Sequence, residues 1–275
     1  MIAMTDEAPR IDSTRPSIAR VYDYLLGGKD NYAVDREIGD VFKRDLPGSV
    51  AIAFANRAAL TRAIRQIATT TGIRQFIDLG SGLPTADNVH QVAQRHAPDS
   101  RVVYVDTDPQ VLVHGRALLE ENDRTRFVMA DVRDPRAVRH HVDTTSLIDF
   151  DRPVAVIFSA ILHHVNDDED PAGIVRYWSE QVPSGSHFFL SHFRSGGNEE
   201  TREAERVLQQ TFGRGRWRTD EELAALLDGL EILEPGIVPA PLWRPESVDT
   251  PWGSGEEREL TVWEHLIAAG LARKP

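Results

Sequence analysis

The sequence predicts an α/β protein, a mostly parallel sheet covered by helices on both faces and preceded by a helical amino-terminal segment. Three observations carry this prediction. Short apolar runs alternate with helix-spaced patterns from about residue 75 to the carboxyl end. A glycine turn, DLGSGLP (78–84), closes the first of those runs. The first seventy residues show no strand pattern, and their apolar positions recur at helical spacing.

The elements follow in order. Residues 1–15 form a polar arm. Pro16 suits a first helical turn, and Ile18, Val21, Tyr22 and Leu25 share a helical face before Gly27-Gly28 stops the helix. Asp30 or Asn31 is expected to cap a second helix, with Val34, Ile38, Val41 and Phe42 inward and an end before Pro47. A third helix is expected from about Val50 to Thr70, burying Leu60, Ala63, Ile64 and Ile67. QFIDLGSG, RVVYVD, RFVMAD, PVAVIFSAIL and SHFFLSHF are the first five strands, separated by helical patterns such as PTADNVHQVAQRHAP and PQVLVHGRALLEEN. Another helix opens at Asp134-Pro135. LEILEPGIV is the sixth strand and ELTVWEHLIAAGLARKP holds the seventh, with a Pro/Trp-rich loop over 239–255 between them. An arm and helical lid over 1–70 and a core over 71–275 are the expected divisions.

Composition narrows the function. A formal net charge of −12 repels phosphate backbones, so nucleic acid is not the expected partner. There are no cysteines, which excludes thiolate chemistry. The first twenty residues lack an apolar signal core, and the longest apolar runs are about half a membrane span, so a soluble cytoplasmic protein without membrane contact is expected.

The chemistry concentrates after the strands. Gly80 and Gly82 let the chain turn tightly and bring bare backbone to a ligand. A dinucleotide turn would need a third glycine where Thr85 stands, so that fingerprint fails. Asp78, Gly80 and Gly82 instead fit an acid-x-G-x-G pattern, with Pro84 in the place of a further glycine. Asp106 and Asp108 close the second strand, where a carboxylate accepts hydrogen bonds from ribose hydroxyls. Asp131 and Val132 close the third, beside the expected place of an adenine amino group. Three acids after three successive strands suit a cationic nucleoside, although each is also a plausible helix cap. FSAILHHVND follows the fourth strand, placing Ser159 through Val165 under the reactive end of such a ligand.

This series resembles the class I S-adenosylmethionine-dependent methyltransferases, with DLGSGLP, YVDTDP and AILHHV as its successive motifs. ARVYDYLLGGKDNYAVDRE, NRAALTRAIRQIATTTGIRQFIDLGSGLPT, RTDEELAALLDGLEILEPGIV and PLWRP narrow the resemblance to a bacterial S-adenosyl methyltransferase family, first catalogued as a domain of unknown function. The resemblance covers nearly the whole chain. It implies a Rossmann-like seven-stranded sheet in the order 3-2-1-4-5-7-6 with the seventh strand antiparallel, and S-adenosyl-L-methionine as cofactor. It implies no particular substrate.

A methyltransferase of this type is expected to act on an oxygen or nitrogen of a small molecule. His163 and His164 are the candidate bases for an acceptor that must lose a proton, and His192 and Arg194 are further pocket candidates. The cofactor's methionine carboxylate needs a partner that the three acids cannot supply, for which Lys29, Arg57 or backbone N–H groups are the candidates. Tyr22, with Tyr24 or Tyr32, is placed to shield the methyl group. HHVNDDED has metal-ligand residue types but no ligand spacing and reads as a solvated acidic turn, so no metal is expected. Two other readings remain, a cofactor-binding regulator that transfers nothing and an NAD-dependent oxidoreductase, the second disfavoured by Thr85.

Overall fold

Five parallel strands set the frame: β1 (Gln75–Leu79), β2 (Arg101–Asp106), β3 (Thr125–Met129), β4 (Ala155–Ser159) and β5 (His187–Phe193). This is a computed structural model, and it describes residues 11–119, 122–245 and 259–275. The remaining strands are β6 (Glu231–Ile232), β7 (Val238–Pro239) and β8 (Ile267–Arg273), and the sheet order is β3-β2-β1-β4-β5-β8-β6, with β7 also paired to β8. β8 runs antiparallel to β5 over seven residue pairs, His187 with Arg273 through Phe193 with Ile267. The strand order reverses between β1 and β4, so a crevice opens beyond their carboxyl ends.

The strands are buried on both faces and alternate between two cores. Phe76, Val102, Tyr104, Phe127, Ile157 and Phe189 face one side. Ile77, Val103, Val128, Val156, Phe158 and Phe188 face the other. α3 (Ser49–Thr70) and α4 (Val89–His96) cover the first face, α3 burying Leu60, Ala63, Ile64 and Ile67 there. α5 (Pro109–Leu119) adds Leu112 to that face. The second face is covered by α6 (Pro135–His140), α7 (Val142–Leu147), α8 (Pro171–Gln181) and α10 (Asp220–Leu226), through residues such as Val138, Trp178 and Leu223. A third cluster joins α1 (Ile18–Leu25), α2 (Ala33–Asp45), α3 and α9 (Glu199–Phe212) through Val21, Leu25, Phe42, Ala53 and Leu208.

Local details depart from the expectations in three places. LEILEPGIV is two short strands, because Pro235 lacks an N–H for the ladder and Gly236 turns at φ +88. Ile237 in that interruption packs over Gly270, where an added Cβ would meet its Cγ1 at 2.9 Å. Strand β4 ends at Ser159, short of the expected PVAVIFSAIL, because Ala160 takes a left-handed φ of +53 and Leu162–His164 form a 3-10 turn. The cap of α2 is Tyr32, whose N–H donates to Asp35 at 2.8 Å, and not Asp30 or Asn31. Residues 246–258, which include most of the Pro/Trp-rich loop, lie outside the described residues, as does most of the amino-terminal arm, residues 1–10.

The Gly-Gly break also has a local cause. The Gly28 and Gly27 N–H groups bond to Asp23 O and Tyr24 O (2.9 and 3.1 Å), with Gly27 at φ +81, the helix stop that favours glycine. Gly28 then lies against the Asp23 carboxylate, and a Cβ there would stand 1.9 Å from Oδ1. That carboxylate gathers the loop, accepting from Asp30 N–H at 2.9 Å and Asn31 Nδ2 at 2.8 Å.

Candidate active site

A cavity of about 550 Å³ lies beyond the carboxyl ends of β1, β2 and β4 and beneath α1, α2 and α9. Its floor begins at the glycine turn. Gly80 and Gly82 hold φ of +73 and +66, a backbone that a Cβ resists. A Cβ on Gly80 would stand 2.5 Å from the Ile161 side chain, whereas one on Gly82 would enter open space. Gly82 therefore leaves its backbone bare toward the cavity, and its N–H donates to Asp106 Oδ2 at 2.9 Å. The other oxygen, Oδ1, accepts from Asp108 N–H at 2.9 Å. Asp106 is thus locked beside the turn, and each oxygen keeps acceptor capacity for a ligand. Burial pushes its carboxyl up, against the pull of those two N–H groups.

Asp78, at the end of β1, is the second acid of the floor. It is 3% exposed, and burial raises it from the ordinary 3.8 to about 7, with Arg57 opposing the shift and Asp106 adding to it. Arg57 reaches from α3, donating to Asp87 O at 3.1 Å and lining the same cavity. Its charge helps to hold an anionic group, and the Asp78–Asp106 pair suits a cationic one.

The roof is anchored by a buried ionic chain. Arg20 Nε donates to Asp35 Oδ2 at 2.9 Å, and its guanidinium also stands 3.7 Å from Asp108 Oδ2. Ser17, the N-cap of α1, donates its hydroxyl to that same Asp108 oxygen, while its N–H donates to Asp35 Oδ1 at 2.9 Å. α1 and α2 are thereby tied to the loop after β2. Asp108 in turn caps α5 through Gln110 N–H at 2.8 Å.

At the ends of β4 and β5 a second polar chain crosses the floor. Tyr22 Oη donates to Ala53 O at 3.1 Å and accepts from Asn56 Nδ2 at 3.0 Å. Asn56 also donates to Ser159 Oγ at 3.3 Å and accepts from Ser191 Oγ at 2.5 Å. Ser191 Oγ in turn accepts from Ala160 N–H at 2.9 Å, which holds the left-handed residue in place.

The two histidines after β4 line the cavity and are buried. Burial drives His163 well below its ordinary 6.5, with His164, His192 and Arg218 adding to the effect. Its Nδ1 accepts from Phe193 N–H at 3.4 Å, so the neutral ring carries its proton on Nε2. His164 falls to about 4 through burial and Arg214, and its Nδ1 is buried with no hydrogen-bond partner. Arg218 fixes this turn, donating to Leu162 O, Val165 O and Asp167 Oδ1 at 3.1, 3.0 and 2.9 Å.

A family model described as S-adenosyl methyltransferase matches residues 4–275 of the chain. The chain belongs to that family. Its cofactor is S-adenosylmethionine. A candidate methyltransferase from Thermobifida fusca YX is 42% identical, with a TM-score of 0.89 over 94% of this chain and 95% of the other. A DUF574 family protein from Streptomyces avermitilis MA-4680 is 38% identical, with a TM-score of 0.90 over 97% and 100%. The mitomycin 7-O-methyltransferase, 18% identical with a TM-score of 0.50 over 93% and 68%, shares the fold. A comparison with curated proteins found no match.

The cavity of this methyltransferase brings together Tyr22, Arg57, Asp78, Gly80, Gly82, Asp106, Asp108, Ser159, His163 and His164. Three other candidates lie outside its lining. Lys29 is exposed on the loop gathered by Asp23. Asp131 is chelated by Arg133, with Nε to Oδ1 at 2.9 Å, and is lowered by that contact. Val132 is buried in the core of the second face. His192 and Arg194 also lie outside the lining, the first bonded to Arg218 at 2.8 Å and the second to Asp220 at 2.6 Å. In HHVNDDED three of the four acids are ion-paired: Asp167 with Arg216 and Arg218, Glu169 with Arg133 and Arg214, and Asp170 with Arg176. Arg20, Asp35 and Asn56 were not legible as site residues, because the side-chain partners that tie them together lie 15 to 135 positions away in the chain. Arg20 lies on the side of α1 opposite its apolar face, so helical periodicity carried no signal for its burial.

Proposed function

We propose that this methyltransferase transfers its methyl group to an oxygen or nitrogen atom of a small molecule, with Asp106 receiving the ribose hydroxyls and Asp78 the methionine ammonium. The observation that carries the reading is the pair of carboxylates on neighbouring strands, Asp78 buried and Asp106 half-buried, lining one cavity with the bare backbone of Gly82. Two acids oppose a phosphate-bearing dinucleotide and favour a ligand with positive charge. Arg57 stands on the same floor for the methionine carboxylate. Ser81 Oγ, buried without a partner at the glycine turn, adds a polar atom awaiting a ligand. Lys29 and Asp131 are left aside, the one exposed and the other already bonded.

When bound, S-adenosylmethionine supplies a methyl group on an electron-poor sulfur. The protein's part is placement and exclusion of water. Tyr22, fixed by Asn56 and Ala53, covers the end of β4, and Ser159 and Ala160 form the floor opposite it. Neither histidine is a strong base at neutral pH, since burial keeps both rings uncharged. Catalysis by position therefore predominates over proton abstraction in this reading.

Calorimetry with S-adenosylhomocysteine, followed by its detection as product across hydroxylated and aminated small molecules, tests the proposal. Binding with micromolar to millimolar affinity and turnover on small molecules are expected. No binding in that range, or turnover confined to nucleic acid or protein, would refute it.

A further inference from the structure

The cavity continues past the glycine turn into a chamber between α2, the start of α3, α9 and the turn after β4. Its wall is apolar, built from Phe42, Leu46, Ile52, Ala204, Val207 and Phe212. The Phe42 and Phe212 rings meet edge to face with centroids 6.0 Å apart, and His164 presents its ring edge to Phe212 at 6.5 Å. Two buried polar atoms on this side lack partners, Ser49 Oγ and His164 Nδ1. The charges bordering the chamber are compensated: Arg214 by Glu169 at 3.4 Å, and Asp45 by Arg44 at 2.7 Å.

Each property restricts the occupant. An ionised group entering this chamber would lose its hydration without gaining an opposite charge, which is costly. Aromatic walls at this spacing favour a flat apolar body through edge and face contacts. An unpaired buried acceptor or donor costs free energy until a ligand group meets it. A single cavity of about 550 Å³ must admit both reactants, which limits the second to a compact molecule.

We propose that the methyl acceptor is a compact, uncharged, ring-bearing molecule whose single hydroxyl or un-ionised amine is received at the His164 ring within this chamber. The inference rests on the methyltransferase reading of the cavity given above. The acceptor's lone pair forms a bond to the methyl carbon while the carbon–sulfur bond breaks, its electron pair staying on sulfur. The acceptor's proton passes to water, so an acceptor H–X and the cationic donor become CH3–X, neutral S-adenosylhomocysteine and one proton. A neutral amine suits this site without a base, because its lone pair is free before transfer.

The test is calorimetry at pH 7.5 on the full chain with saturating S-adenosylhomocysteine. The probes are phenol, 1-naphthol, 1-aminonaphthalene and 1-naphthoic acid, the last ionised. At least one neutral arene is expected to bind ten or more times tighter than naphthoate. Val207→Trp, which fills the chamber from α9, and His164→Phe, which removes the polar atom, are expected to weaken that binding at least tenfold and threefold respectively. Both should leave the affinity for S-adenosylhomocysteine within twofold, which also shows that they fold. Naphthoate binding as tightly as the neutral probes overturns the inference. So does failure of every neutral arene to bind, or neutral binding unchanged in Val207→Trp. Loss of S-adenosylhomocysteine binding in the unaltered protein overturns instead the reading on which the inference rests.

Discussion

Asp78 carries the sharpest consequence at the scale of one residue. Its carboxyl is raised to about 7 in the folded chain, against an ordinary 3.8, chiefly by burial. The folded state therefore holds a proton that the unfolded state releases. The resulting stabilisation is complete below about pH 4 and is lost as pH rises through about 7. A cationic ligand favours the ionised form, so its binding should release a proton and strengthen as pH rises toward 7, by up to tenfold per unit. Asp78→Asn should flatten that dependence and weaken S-adenosylhomocysteine binding, yet raise the melting temperature of the unliganded protein at pH 8. Calorimetry in buffers of different ionisation enthalpy, with thermal scans, reads all three effects; a pH-independent affinity in the unaltered protein would contradict the assignment. Lys29→Ala, on an exposed loop outside the cavity lining, should leave the affinity within twofold. Gly28→Ala should instead cost stability, about 1–3 kcal/mol by overpacking against Asp23, measurable by urea unfolding. The floor of the site was legible because Asp78, Gly80, Gly82 and Asp106 sit at strand ends that the chain itself marks, with a glycine turn after β1 and Asp108-Pro109 after β2. Lys29 drew attention through composition and position, and Asp131 through its strand end. Neither feature reports where a side chain goes or whether a neighbour such as Arg133 already holds it.

Between elements, the anchoring of α1 decides whether the roof stays closed. Arg20, Asp35 and Asp108 join three segments through a chain in which Arg20 and Asp35 are almost completely buried. Removing one partner of a buried pair leaves the other uncompensated, at about 3–5 kcal/mol. Asp35→Ala should accordingly destabilise α1 and α2, and faster amide hydrogen exchange confined to residues 17–45 would show it. Protection equal to that of the unaltered protein would remove the chain from this role. The five parallel strands and the helices before them were legible because their apolar periods are unambiguous, as in QFIDLG and TRAIRQIA, whereas α7 to α10 were not assigned. Ends were less so. Asn31 looked like a cap for α2, but Asp23 already takes its side-chain donor, and Asp35 satisfies the Tyr32 N–H instead. The sixth strand looked continuous because its apolar residues alternate across Pro235-Gly236, although the backbone there cannot pair.

Over the whole molecule, the order β3-β2-β1-β4-β5-β8-β6 matches the expected methyltransferase order, with LEILEPGIV split between β6 and β7. That order came from resemblance across nearly the entire chain, since periodicity alone does not say which strands pair. What stayed hidden was the closure of the cavity, because α9 reaches α2 across more than 150 residues of sequence to place Phe212 beside Phe42. No described helix is long and apolar enough to cross a membrane. In the proposed reading, this cavity holds S-adenosylmethionine through Asp106 and its neighbours. Titrating S-adenosylhomocysteine into the unaltered protein and into Asp106→Ala tests it most directly. The prediction is a measurable affinity that falls at least tenfold in the variant while its melting temperature stays near that of the unaltered protein; equal affinities in the two, or none in either, would contradict it.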